Sequence, residues 1–234
     1  EVLARADELT SQGKDIINLG IGQPDFKTPE HIVEAAVKAL RDGEHGYTPA
    51  NGIPKCREAV AAYIYENRGV NVDPGQVIIV PGGKVTMFFA ILMFGGSEAE
   101  IIYPNPGFPI YESVIKFSGA KAVPMSLHET NSFSFSADEV LGLINPNTRL
   151  LIINSPANPT GGYVSREEVD KLVSGLENFP KVAVLSDEIY SRILYGGRQH
   201  ASLIEYESLR DRLILLDGWS KTYAMTGWRI GYGI

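Results

Sequence analysis

From about residue 77 onward the chain alternates short, continuously apolar runs with stretches of helical period, and this alternation limits the possible folds more than any other feature. The runs are VIIV (Val77 to Val80), EIIY (Glu100 to Tyr103), RLLIIN (Arg149 to Asn154), KVAVLSD (Lys181 to Asp187) and RLILLD (Arg212 to Asp217). A strand that is apolar at every position is one covered on both faces, as in a mainly parallel sheet with helices above and below. Between the runs, SADE (Ser136 to Glu139) and SREE (Ser165 to Glu168) read as capping boxes that open helices. Strand–helix alternation at this spacing means βαβ units, and hence an α/β fold with a doubly wound, mainly parallel sheet.

The first 45 residues lack that rhythm. They hold a helical pattern over residues 1–13 and a second, PEHIVEAAVKALRDG, for which Thr28 reads as cap and Pro29 as first helical residue. Residues 1–45 are therefore expected to be an arm and part of a smaller domain, with 46–234 forming the large domain. The chain begins without Met inside a helical pattern and stops in what reads as a strand, so it is expected to be part of a longer protein.

Composition narrows the function classes. A formal net charge of −7 argues against a nucleic-acid or anionic-membrane surface. The most apolar run, Val85 to Phe94, is too short to span a bilayer and is read as a buried helix; no signal peptide is visible. The single cysteine, Cys56, leaves no intramolecular disulfide and no multi-cysteine metal site, and fits a reducing, cytoplasmic setting. His31, His45, His128 and His200 are scattered, with no ligand spacing for a metal.

In open α/β sheets ligands bind beyond the carboxyl ends of the strands. There the first run delivers Pro81-Gly82-Gly83-Lys84, a turn whose backbone N–H groups can meet an anion, although glycines at such turns also serve structure alone. The second delivers NPGFPIY with Phe108, a ligand face or an aromatic packed on the sheet edge. The third delivers SPANPTGG with Asn158, an amide donor or a simple chain reversal. The fourth ends in Asp187, costly to bury unpaired or else a helix cap, with Tyr190 close behind. The fifth leads through Gly218 and Trp219 to Ser220 and Lys221, a snorkelling cation or an amine kept for chemistry. Neither GxxxxGK[ST] nor a strand-linked GxGxxG occurs. An anion cradle, an aromatic face, an amide, a carboxylate, a phenol and a lysine on one rim are the set that a phosphorylated aromatic aldehyde needs, which describes pyridoxal 5′-phosphate.

The segments GIGQPDF, YTPANGIPKCREAV, PGGK, NPGFPIY, NSPANPTGG, SDEIY and GWSKTYAMTGWRIGY, in this order, resemble the successive blocks of the class I/II (fold type I) PLP-dependent aminotransferases from near residue 16 to the end. The resemblance implies the fold type I large domain, with the small domain incomplete. It implies transfer of an α-amino group from an amino acid to a 2-oxo acid, through a Lys221–cofactor aldimine and pyridoxamine phosphate. Lys221 would carry the cofactor and shuttle the proton; Asp187 would pair with the pyridine nitrogen; Tyr190 and Asn158 would bond the ring's phenolic oxygen. Phe108 would stack on the ring. Gly83 and Lys84 would offer N–H groups to the phosphate and Arg229 would clamp it, with Ser220 counted among the cofactor residues. Gly22, Phe108 and Asn158 would lie on the substrate side. Tyr47 resembles the tyrosine that reaches the neighbouring subunit's phosphate, which implies a homodimer. Trp219 is bulkier than the family's usual residue there, and the family's arginine for the substrate α-carboxylate is expected beyond Ile234. Two other readings share these motifs: an elimination enzyme such as a C–S lyase or aminocyclopropane carboxylate synthase, and the sensor domain of a transcriptional regulator.

Overall fold

Each apolar run forms a strand, and the central strands meet different helices on their two faces. The first run is the exception: Ile78 is 44% exposed at the sheet edge, so this strand is not covered on both faces as its pattern implies. The computed structural model describes residues 2–234, so Glu1 of the first helical pattern lies outside the described residues. Seven strands, β1 (Ile78–Val80), β2 (Glu100–Asn105), β3 (Lys121–Ser126), β4 (Thr148–Asn154), β5 (Ala183–Asp187), β6 (Leu213–Gly218) and β7 (Gly231–Gly233), form one sheet in the order β1-β7-β6-β5-β4-β2-β3. Pairing is parallel from β6 through β3, and β7 runs antiparallel to both β1 and β6. Seven α-helices accompany it: α1 (Val2–Ser11), α2 (Glu30–Arg41), α3 (Pro54–Arg68), α4 (Lys84–Phe94), α5 (Ile110–Phe117), α6 (Ala137–Leu143) and α7 (Arg166–Leu176).

The core divides by strand parity. Ile101, Leu150, Ile152, Ala183 and Leu185 pack with α4 and α5 through Met87, Ile91, Tyr111 and Ile115. Their neighbours Ile102, Leu151, Ile153 and Val184 point the other way, onto Val140 of α6 and Val169, Leu172 and Leu176 of α7. Successive strand side chains face opposite sides, so a sheet covered on both needs apolar residues at every position. A third cluster joins Val60 and Ile64 of α3 to Leu215 and Tyr232.

Four further sequence readings are corrected. β3 was not expected: KAVPMS carries a proline and only Met125 in it is buried, so it lacks the continuous apolar pattern of the other runs, but it is an edge strand, where a missing N–H costs no ladder bond. Both serines cap, Ser136 accepting from Glu139 N (3.5 Å) and Ser165 from Glu168 N (3.3 Å), yet neither forms a reciprocal box. Glu168 instead accepts from Ala137 N of the neighbouring helix at 2.7 Å. Thr28 does not cap α2; its hydroxyl donates to the Ala224 carbonyl (2.7 Å), and Pro29 itself is the cap position. Finally, α4 is not buried all round: Met87, Ala90 and Ile91 face the sheet, while Phe89 and Met93 are 57% and 73% exposed. No described helix is long and apolar enough to cross a membrane.

Candidate active site

The parallel strands β4, β5 and β6 all end on one rim, where Asn154 lies in register with Asp187, and Asp187 with Leu216. A cavity of about 670 Å³ opens there. It is lined by ten of the eleven residues singled out from the sequence: Gly22, Gly83, Lys84, Phe108, Asn158, Asp187, Tyr190, Ser220, Lys221 and Arg229. Tyr47 is not among them and is fully exposed. Trp219 also stays outside; it packs against Tyr232, ring centroids 5.3 Å apart, in the α3 cluster, so its bulk does not reach the cavity.

The lysine amine is held within reach of the cavity. Lys221 Nζ donates to the Gly22 carbonyl and sits 5.9 Å from the centre of the Tyr190 ring. Burial, then the cations Lys84 and Arg229, push its pKa below the usual lysine value. The Lys84 ammonium lies 5.4 Å from the Phe108 ring centre and, among the described residues, has no carboxylate partner.

Sequence reasoning missed the partner of Asp187. Tyr111, fully buried on α5, donates its hydroxyl to Asp187 Oδ2 at 2.6 Å, and Ile189 N donates to Oδ1 at 3.3 Å. Burial nevertheless pushes the Asp187 carboxyl up to about 6. The same burial, with the adjacent carboxylate, drives the Tyr111 phenol well above its ordinary value. The signal was present in NPGFPIY, which places Tyr111 three residues after Phe108, so that both rings meet edge to face at 5.7 Å. Asn154 was missed too: its amide donates to the Asp187 carbonyl (3.0 Å), and its oxygen accepts from Asn158 N (2.9 Å).

Behind the rim, Glu188 and Asp217 converge on Arg68 of α3, at 3.1 and 2.8 Å. Burial opposes ionisation of Glu188, but Arg68 and then His200 hold its carboxyl down to about 2, while Asp217 is pushed up by burial to about 6. Ser202 and Ser186 complete the bonds to Glu188.

Just before the cavity-lining Gly83, Gly82 adopts φ +80°, and a Cβ there would fall on the Arg229 guanidinium. A Cβ on Gly83 would lie 2.7 Å from Leu216. These absent side chains make a concave turn at the start of α4. Among the described residues the N–H groups of Gly83 and Lys84 donate to no protein acceptor, and Arg229 pairs with no carboxylate, bonding only the Thr226 carbonyl at 2.8 Å. Two open N–H groups at a helix start and an uncommitted guanidinium are the donor set for a phosphate. Among the described residues no group of three His, Cys, Asp or Glu could hold a metal ion.

Residues 14–234 match the model of the family "Aminotransferase class I and II". The chain belongs to that family. It is 35% identical to the aspartate aminotransferase of Bacillus subtilis (strain 168) over 233 residues, covering 99% of this chain and 59% of that protein. It is 39% identical to the probable aspartate aminotransferase of Methanocaldococcus jannaschii, over 93% of this chain and 56% of that one. The solved aspartate aminotransferase of Thermus thermophilus with maleate superposes with a TM-score of 0.92 at 35% identity, over 99% of this chain and 60% of the other. The chain thus spans about three-fifths of the length of these relatives. Its doubly wound sheet is the large-domain fold of the fold type I PLP-dependent transferases, and pyridoxal 5′-phosphate is the cofactor of this family.

Proposed function

We propose that the protein to which this chain belongs is an aminotransferase that exchanges the α-amino group of an amino acid with a 2-oxo acid, with acidic amino acids as its substrate class. The observation that carries this is the convergence of Lys221, Asp187, Arg229 and the Gly83 turn, from separate segments, on one cavity. When bound there, pyridoxal 5′-phosphate supplies an aromatic ring able to accept the electron pair left at the substrate α-carbon. The chain's residues divide the remaining work. Arg229 and the Gly83 and Lys84 N–H groups would hold the phosphate, Phe108 would stack on the ring, and Asn158 and Tyr190 would bond its phenolic oxygen. Asp187, steadied by Tyr111, would pair with the ring nitrogen and keep it protonated. Lys221, its amine made less basic by burial and nearby cations, is suited to attach the cofactor and to move the proton at the substrate α-carbon. Ser220 lines the wall beside it, and the Gly22 backbone lies on the substrate side.

An acidic substrate is supported by the names of the relatives and by Lys84, a cavity cation with no carboxylate partner among the described residues. The same names favour transamination over elimination or a regulatory sensor. Exposed Tyr47, outside its own cavity, fits a homodimer in which it serves the neighbouring site. The division into an arm with part of a small domain (1–45) and a cofactor domain (46–234), and a cytoplasmic location, belong to the same reading.

The test is an absorption titration of the full-length protein loaded with cofactor. A visible band that falls on adding aspartate and returns with a 2-oxo acid supports the reading; a band indifferent to every amino acid sinks it. Lys221→Ala is expected to lower turnover by roughly 10²–10⁴-fold or more while the melting temperature stays near that of the unaltered protein.

A further inference from the structure

A second cavity, of about 610 Å³, shares a segment with the first: Tyr190 lines one, and Ser191 and Arg192 line the other. Its wall carries four guanidinium groups, Arg68, Arg166, Arg192 and Arg198, in a chain whose net charge is −7. Two of them are committed. Arg68 is buried between Glu188 and Asp217, and Arg166 pairs with Glu205 at 2.8 Å. The other two, both exposed, have only neutral company. Arg192 donates to the side-chain oxygen of Asn67, and Arg198 lies over the Tyr163 ring, 5.4 Å from its centre. Neither has a carboxylate within 4 Å among the described residues. His200, also on the wall, turns Nε2 to Glu188 (2.8 Å) and leaves Nδ1 buried with no partner among the described residues.

Arginine is the residue that matches phosphate oxygens with a planar fork, and an amide or an aromatic ring beside it orients the fork without neutralising it. The volume exceeds what one phosphate group needs, and Tyr63 adds an aromatic wall. The geometry points to a second anion site, formed by the exposed Arg192 and Arg198 on the wall of this cavity, for a small molecule bearing two linked phosphate groups. It is separate from Arg229 and does not depend on the transamination reading.

Pyrophosphate is the probe. The full-length protein is saturated with pyridoxal 5′-phosphate, so that the Arg229 cradle is filled, freed of excess cofactor, and titrated by calorimetry. Saturable binding is expected, weakened about tenfold or more by Arg192→Gln and again by Arg198→Gln, because each removes a charge-assisted contact. Both side chains are exposed, so the variants are expected to keep the far-UV spectrum and melting temperature of the parent. Lys55→Gln, an exposed cation outside the cavity, should leave the affinity unchanged. Absence of saturable binding, or binding indifferent to both arginine substitutions, overturns the proposal. Amino-group transfer is not read in this experiment, so either result leaves the assignment of the first cavity where it stands.

Discussion

Asp187 shows how one residue carries both a cost and a use. Its carboxyl is buried, with a phenol and an amide N–H rather than a cation as partners, and its folded pKa of about 6 lies above the unfolded value of about 3.9. A raised carboxyl pKa means the folded state holds the proton more tightly. The stabilisation is therefore present below about pH 4 and is lost as pH rises toward 6. In the cofactor-free protein, Asp187→Asn is expected to remove on the order of 2 kcal/mol of that loss, seen as a flatter dependence of denaturation midpoint on pH between about 4 and 6. An unchanged slope would mean that Asp187 is not the group responsible. Tyr111→Phe removes the 2.6 Å bond but keeps the ring. It should weaken cofactor binding about tenfold, measured by fluorescence titration, since one hydrogen bond to a charged group is worth about 1.5–3 kcal/mol. Equal affinity would show that Asp187 needs no such support.

At the scale of elements, the helix starts show why local motifs read only half of a contact. Ser165 caps α7 as its sequence implies, because the serine oxygen needs only N–H groups of its own helix. The glutamate three residues on has a choice, and Glu168 takes the open N–H of Ala137 on α6 in preference to its own cap residue. That choice depends on α6 and α7 lying side by side, which no four-residue window contains. Glu168→Ala is expected to cost about 1 kcal/mol in urea denaturation, with the loss shared by both helices. A variant as stable as the parent would make the bond incidental. The same limit applies to α4, where Met87, Ala90 and Ile91 recur at helical spacing toward the sheet inside a run apolar at almost every position. The run gives no sign of which residues face outward.

Across the whole molecule, Arg68 ties α3 to the ends of β5 and β6, next to Asp187 and four residues before Lys221. Burial opposes its charge, but the two carboxylates raise its pKa. Arg68→Met would leave Glu188 and Asp217 without their shared cation. It is expected to destabilise the fold by about 3–5 kcal/mol, the usual result of removing one side of a buried ion cluster. A change of less than about 1 kcal/mol in thermal or urea unfolding would show that the serines and His200 suffice to hold Glu188. Cofactor binding should fall along with stability, because the strand ends held by this cluster line the cavity.

The chain's own order of residues pointed to a mainly parallel sheet, because alternating helices and strands apolar at every position suit a sheet covered on both faces. It marked Lys221, Asp187, Asn158 and Tyr190 as candidates at strand ends, whereas Arg229 was marked only by the resemblance to the family. Tertiary structure alone decided that Tyr111 would meet Asp187 across 76 residues, that Glu168 would cap a helix other than its own, and that Trp219 would pack away from the cavity. Periodicity and turn chemistry are short-range and leave their record in neighbouring residues. A hydrogen bond or ion pair between distant segments is settled only when packing brings two side chains within about 3 Å, and no local pattern records that meeting.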